Sequence, residues 1–190
     1  PSMITARYGG VSSWIVRQTR GSRARAFSFG EVFEVSLSAN LRFNMKLDML
    51  NSGRGIRADE NDERVIRVTN RKGASVEIDL SAAQTLGDVS TAIANADVSV
   101  RISLSGGKLV VTDTSGETDS NLKIEDVKGS AAADLGITID TSNSGATGQQ
   151  IYRMDTIGDV LRAIRYAEGN ENYVTASLSA DGKGINNVLG

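Results

Sequence analysis

TLGDVSTAIANA, from Thr85 to Ala96, and TIGDVLRAIRYA, from Thr156 to Ala167, are one phrase written twice. Seven of the twelve positions are identical, and Leu86 is answered by Ile157. In the first copy Leu86, Val89, Ile93 and Ala96 recur at helical spacing, which predicts one buried face of a helix. Ile157, Val160, Ile164 and Ala167 repeat that stripe. Thr85 and Thr156 stand where an N-cap belongs, and Asp88 and Asp159 follow three residues later, a T-x-x-D form of the capping box. Each Asp also favours the positive end of the helix dipole. The phrase therefore predicts two capped amphipathic helices, the second ended by Glu168-Gly169-Asn170.

Strand signals flank the first helix. Val65–Thr69 and Ser75–Leu80 are joined by the turn Asn70-Arg71-Lys72-Gly73, with Val76, Ile78 and Leu80 on one face. Val98–Ser105, Gly106-Gly107 and Lys108–Thr112 read as a second hairpin. A strand Leu122–Val127, a short helix Ser130–Leu135 stopped by Gly136, and a strand Ile137–Asp140 follow. The echo extends beyond the helices, since Ser177-Leu178-Ser179 answers Ser103-Leu104-Ser105 and GITI at Gly136 faces VIRV at Val65. TSNSGATGQQ reads as turn, Tyr173–Leu178 as a last strand, and Ala180-Asp181-Gly182-Lys183 as a turn that leaves the second copy unclosed. These pieces predict an α+β fold of antiparallel hairpins packed on short helices, built from ββαββ-type repeat units.

Upstream, Phe27–Leu50 alternates apolar and polar residues with period two, which predicts a long hairpin turning near Ser38-Ala39-Asn40. Trp14-Ile15-Val16 reads as a short strand, and Arg17, Arg20, Arg23 and Arg25 as a solvated loop. The expected divisions are 1–49, a β-rich segment; 50–140, a first repeat unit; and 141–190, a second, partial one.

Composition narrows the chemistry. The chain has 190 residues, enough for a sizeable core, but only 5% aromatics, so Val, Ile, Leu and Ala must fill it. It contains no Cys, which removes disulfides and thiol chemistry, and no His, which removes the commonest general base and metal ligand. A formal charge of −2 gives no bulk attraction to nucleic acid or anionic membrane. No secretory signal and no membrane-length apolar run is visible, so a protein working outside the cell would leave without a cleaved signal, or this is a piece of a longer chain.

Acidic groups supply the remaining candidates. Asp113, Glu117 and Asp119 could cup a hard cation on a bent loop, although the spacing is not that of a known calcium loop. Asp59, Glu60, Asp62 and Glu63 read as a solvated loop, and Asp181-Gly182-Lys183-Gly184 as a turn without the full phosphate-loop pattern. Asp88 and Asp159 are accounted for as caps, so no catalytic, metal or cofactor residue is expected.

Five quoted pieces in order resemble the flagellin hook IN motif. They are LNSGRGI at Leu50–Ile56, the strand and turn that follow, IDLSAAQTLGDV at Ile78–Val89, KLVVTDTSG at Lys108–Gly116, and AAADLGI at Ala131–Ile137. The first copy resembles the motif over 50–137; the second is weaker and lacks the Leu-Asn-Gly loop. That motif occurs in exposed domains of flagellar axial proteins, most familiarly hook-associated protein 2, the filament cap. The resemblance implies a non-enzymatic structural module of a bacterial flagellar hook-associated or filament protein, located outside the cell. Its implied partners are other axial subunits or its own copies, with no cofactor, no nucleic acid and no membrane insertion. The alternative is an adhesin-like module that contacts host or surface ligands through its loops. Gly53 and Gly55 are expected to shape the entry loop, with Thr85, Asp88, Thr156 and Asp159 as structural residues.

Overall fold

A computed structural model describes residues 3–7, 13–19, 23–27, 32–36, 39–166, 174–182 and 184–189. Helices and antiparallel sheets are both present, so the fold is α+β. The chain forms two compact units, one from 39–153 and the other from 1–38 together with 154–190.

In the unit 39–153, β5 (Val65–Thr69) and β6 (Ser75–Asp79) form the first hairpin, followed by α1 (Leu86–Asn95). The second hairpin is β7 (Val100–Ser105) and β8 (Lys108–Asp113). β9 (Leu122–Lys128) then returns to pair with β5, and α2 (Ala131–Asp134), β10 (Ile139–Thr141) and β11 (Gly145–Thr147) complete the unit. Its sheets run β10-β9-β5-β6 and β11-β8-β7. Period-two alternation buries Ile66 and Val68 on β5, Val100 and Ile102 on β7, and Leu122 and Ile124 on β9. Leu86, Val89 and Ile93 of α1 are each at most 1% exposed, so the predicted stripe is the core face of the helix. Helix α1 packs on β6 and β7, and α2 on β5 and β9.

The other unit contains the antiparallel meander β1 (Met3–Arg7), β2 (Ser13–Thr19), β3 (Arg23–Phe27) and β4 (Val32–Ser36). Helix α3 (Ile157–Arg165) and the hairpin β12 (Val174–Leu178) and β13 (Ile185–Leu189) belong to it too. Helix α3 packs on β4 and β12. The expected stripe member Ala167, the stop Glu168-Gly169-Asn170, Tyr173, Lys183, Arg20 and the proposed turn residue Ser38 lie outside the described residues.

Several sequence expectations are corrected: TSNSGATGQQ is not all turn, because Gly145–Thr147 forms β11 on β8, and four more follow. First, Leu41–Met49 is not the second limb of a hairpin; it is irregular chain ending in a 3₁₀ turn at Leu47–Met49. Its alternation is nonetheless used, because Leu41, Leu47 and Met49 are buried while its backbone bonds to the start of α1 instead of to a strand. Second, the arginine stretch is not a loop. Arg23-Ala24-Arg25-Ala26-Phe27 is itself a period-two pattern, and Arg17 on β2 stands opposite Arg25 on β3. Third, GITI does not open a second hairpin: Ile139 pairs with Ile124 and extends the first unit's sheet. Fourth, the chain does not stop after the last turn but returns as β13 against β12.

Unit boundaries consequently fall at 38/39 and 153/154, not at 49/50 and 140/141. Residues 39–49 are held by 2.7 Å from the Leu41 N–H to the Gly106 carbonyl and 2.9 Å from the Leu47 N–H to the Gln84 carbonyl. Residues 145–152 are held through β11 on β8 and through the Gly107 carbonyl, which accepts from the Ile151 N–H at 3.0 Å.

The two copies of the phrase are not equally buried, since Leu86 is 1% exposed and Ile157 is 51% exposed. Leu86→Ala is expected to destabilise the 39–153 unit by about 2–5 kcal/mol in denaturant unfolding, against about 0.5 kcal/mol or less for Ile157→Ala. Equal losses would contradict this assignment of the core.

Candidate functional site

The helix starts that the sequence predicts are built as capping boxes. Thr85 Oγ1 accepts the Asp88 N–H at 3.2 Å, while Asp88 accepts the N–H groups of Thr85 at 2.8 Å and Gln84 at 3.0 Å. In the second copy Thr156 Oγ1 accepts from the Asp159 N–H at 3.2 Å. Asp159 in turn accepts from the backbone of Thr156 at 2.9 Å and of Asp155 at 3.2 Å. Asp159 is buried and also takes the Arg162 guanidinium at 2.5 Å.

In α1 the first-turn donors left over by the box are met from outside. The Leu86 N–H donates to the Met45 carbonyl at 3.1 Å and the Gly87 N–H to the Phe43 carbonyl at 2.7 Å. This explains the glycine of the first copy: a Cβ at Gly87 would lie 3.0 Å from the Phe43 oxygen, so only a bare backbone admits the covering segment without displacement.

The LNSGRGI loop is organised around its first two residues. Leu50 is fully buried, and its carbonyl accepts from Gly53 at 2.9 Å and Gly55 at 3.1 Å. Both glycines have positive φ, 88° and 69°. The Asn51 amide donates to the Gly55 carbonyl at 2.9 Å and across the chain to the Asp134 carbonyl at 2.8 Å.

Asp134 is the residue that sequence reading missed. Its side chain is 3% exposed and is gripped by Arg57, with Nε at 2.9 Å, Nη2 at 3.0 Å and the backbone N–H at 2.9 Å. Arg54 adds a longer contact of 3.7 Å. The bidentate fork locks Arg57, the residue just after LNSGRGI, to AAADLGI across 77 residues. Burial alone would push the Asp134 carboxyl up, but the Arg57 side chain and backbone donors outweigh it and hold the carboxyl below its ordinary value. Only an acidic residue directly before a buried Leu-Gly-Ile hinted at it, and nothing local named its arginine. Asp126 plays a parallel part, accepting the Ala132 N–H at 2.6 Å and the Ala133 N–H at 3.1 Å and so capping α2 from β9.

The suggested cation loop does not assemble. Asp113 is buried and turned inward, taking the Arg71 N–H at 2.7 Å, the Ser115 N–H at 2.8 Å and the Ser115 hydroxyl at 2.6 Å. Burial raises its carboxyl, but Ser115 and Arg71 lower it by more. Glu117 and Asp119 are exposed, and among the described residues no group of three acidic side chains is placed to hold a metal. In the run from Asp59 to Glu63, Asp59 Oδ1 organises its own turn by accepting from Asn61 and Glu63, each at 2.9 Å. Arg17, Arg23 and Arg25 lie on strands, and Asp181 in the turn before β13 bonds Ser179 Oγ at 2.6 Å.

Among the described residues every carboxyl whose value is displaced is displaced downward, including Asp79, Asp88 and Glu125. A general acid working near neutrality needs the opposite displacement. The arrangement is therefore one of permanent anions used as hydrogen-bond acceptors between elements.

Thr85→Ala is expected to cost about 0.5–2 kcal/mol, read as a lowered melting temperature of the 39–153 unit. The pH dependence follows from the same carboxylates. Their folded values lie below the unfolded ones, so the unfolded chain takes up more protons as pH falls. Stability is then fully present above about pH 5 and is lost progressively below about pH 4. With no His in the chain, little change is expected between about pH 5 and 8. Asp134→Asn should flatten the acid limb; an unchanged limb would mean that Asp134 does not carry it. Compared with protein-family models, with curated proteins and with solved structures, the chain matches none.

Proposed function

We propose that this chain is a non-enzymatic structural module, an exposed domain of a bacterial flagellar hook-associated or filament protein built on the flagellin hook IN motif. The observation that carries the reading is the joint between LNSGRGI and AAADLGI. Two separated pieces of the resembled pattern meet where Asn51 and Arg54 reach Asp134, and Arg57, the residue just after the first piece, completes the joint. The downward displacement of the buried carboxylates supports a role in holding shape over a role in proton transfer. No helix among the described residues is long and apolar enough to cross a membrane. On this reading the module's partners are other axial subunits or its own copies, and its place is the outer surface of the flagellum.

The reading is tested by immunogold labelling of the bacterium that encodes the chain, using antibody raised against it, together with a motility assay of the gene deletion. Label on the hook or filament, recovered in the sheared flagellar fraction, is the expected outcome. Label confined to the cytosol would overturn it. Label on another surface structure, with glycan-array binding by the purified chain, would replace it by the adhesin-like reading.

A further inference from the structure

Read in chain order, the second copy of the phrase has no leading hairpin beside it; the fold supplies one from a different place. Glu34-Val35-Ser36-Leu37-Ser38 matches Glu77-Ile78-Asp79-Leu80-Ser81, with Glu, Leu and Ser identical and Val for Ile. At the same shift, Gly30 matches Gly73, the turn glycine of the β5–β6 hairpin. In one unit β5 and β6 precede α1, which packs on β6 and β7. In the other β3 and β4 pair in the same antiparallel sense, and α3 packs on β4 and β12. Even the residue ahead of each cap behaves alike, since the N–H groups of Gln84 and Asp155 donate to Asp88 and Asp159.

We infer that the unit formed by 1–38 and 154–190 is a complete copy of the ββαββ repeat, and that the whole of 39–153 is inserted in its strand-to-helix connection. In the uninterrupted copy that connection is only Ala82-Ala83-Gln84, between Ser81 and Thr85. In the interrupted copy Met154-Asp155 alone remains beside the insert, between Ser38 and Thr156. An insertion there is tolerated only if the inserted unit begins and ends at one place. It does: the Leu41 N–H donates to the Gly106 carbonyl at 2.7 Å, and the N–H groups of Ile151 and Tyr152 donate to the Gly107 carbonyl at 3.0 and 3.3 Å. Entry and exit segments of the insert thus meet on a single two-residue turn. That turn accepts no side chain at its second position, where a Cβ on Gly107 would collide with Gln150 and the Tyr152 carbonyl.

The inference stands whether or not the module is flagellar. It is tested on the full chain by amide hydrogen exchange resolved by mass spectrometry. Thr156→Ala weakens the cap of α3, and exchange in 23–36 and 174–189 is expected to rise together, roughly tenfold, while 65–128 keeps its protection. Thr85→Ala should do the converse, raising exchange in 65–128 and leaving 23–36 and 174–189 unchanged. Strands 23–36 staying protected while α3 and 174–189 exchange freely would overturn the inference, because β3–β4 would then not belong to the same repeat as α3. Protection lost over the whole chain in both variants would overturn it as well, because the insert would not be a separate unit.

Discussion

The first turn of α1 is the constraint on which the unit 39–153 depends. Every helix begins with N–H groups that its own backbone cannot satisfy, and burying that end without partners is costly. Here Thr85 takes the Asp88 N–H, and the carbonyls of Met45 and Phe43 take those of Leu86 and Gly87. The helix can therefore begin with its first apolar residue, Leu86, already in the core. The covering segment is fixed by the same bonds, which seats Leu47 and Met49 beneath it and delivers the chain to Leu50 and the Asn51 loop. The bare backbone of Gly87 lets the Phe43 carbonyl approach to 2.7 Å; a Cβ there would push the segment back by a few tenths of an ångström.

Buried or half-buried carboxylates do the remaining joining. Asp134 ties α2 to the loop at Arg57, Asp126 caps α2 from β9, and Asp113 holds the β5–β6 turn at Arg71 to the end of β8. Asn70 adds a neutral version, donating to the Val98 carbonyl at 3.0 Å and accepting from Lys72 and Ala74. In a core with few aromatic residues, directional polar joints of this kind specify which elements meet, while the aliphatic side chains supply the burial. The nested order of the two units is allowed because a repeat with adjacent entry and exit can be placed within a loop of another without disturbing either core.

Much of this was legible in the chain as written. The caps, the helical stripe of α1, the hairpins at Gly73 and Gly106, and the α2 stop at Gly136 are signals confined to a few neighbouring residues. Where reading failed, the determining partner lay far away. Leu41–Met49 alternates as a strand does, but its hydrogen bonds go to a helix end about forty residues on. Arg23 and Arg25 were weighed as charges, although their alternation with Ala24 and Ala26 already carried a strand period.

By itself, then, the sequence determined the hairpins that turn at Gly73 and Gly106, the core face of α1, and the capped starts of α1 and α3. Local dihedral preference, capping and periodicity act within a turn or a strand, so they are written in adjacent residues. Only the tertiary structure decided that Arg57 meets Asp134, that Ile139 joins the first sheet, and that α3 packs on β4. Those pairings are set by which donors and acceptors remain unsatisfied once the local elements exist, and by where closure of a distant loop brings them together.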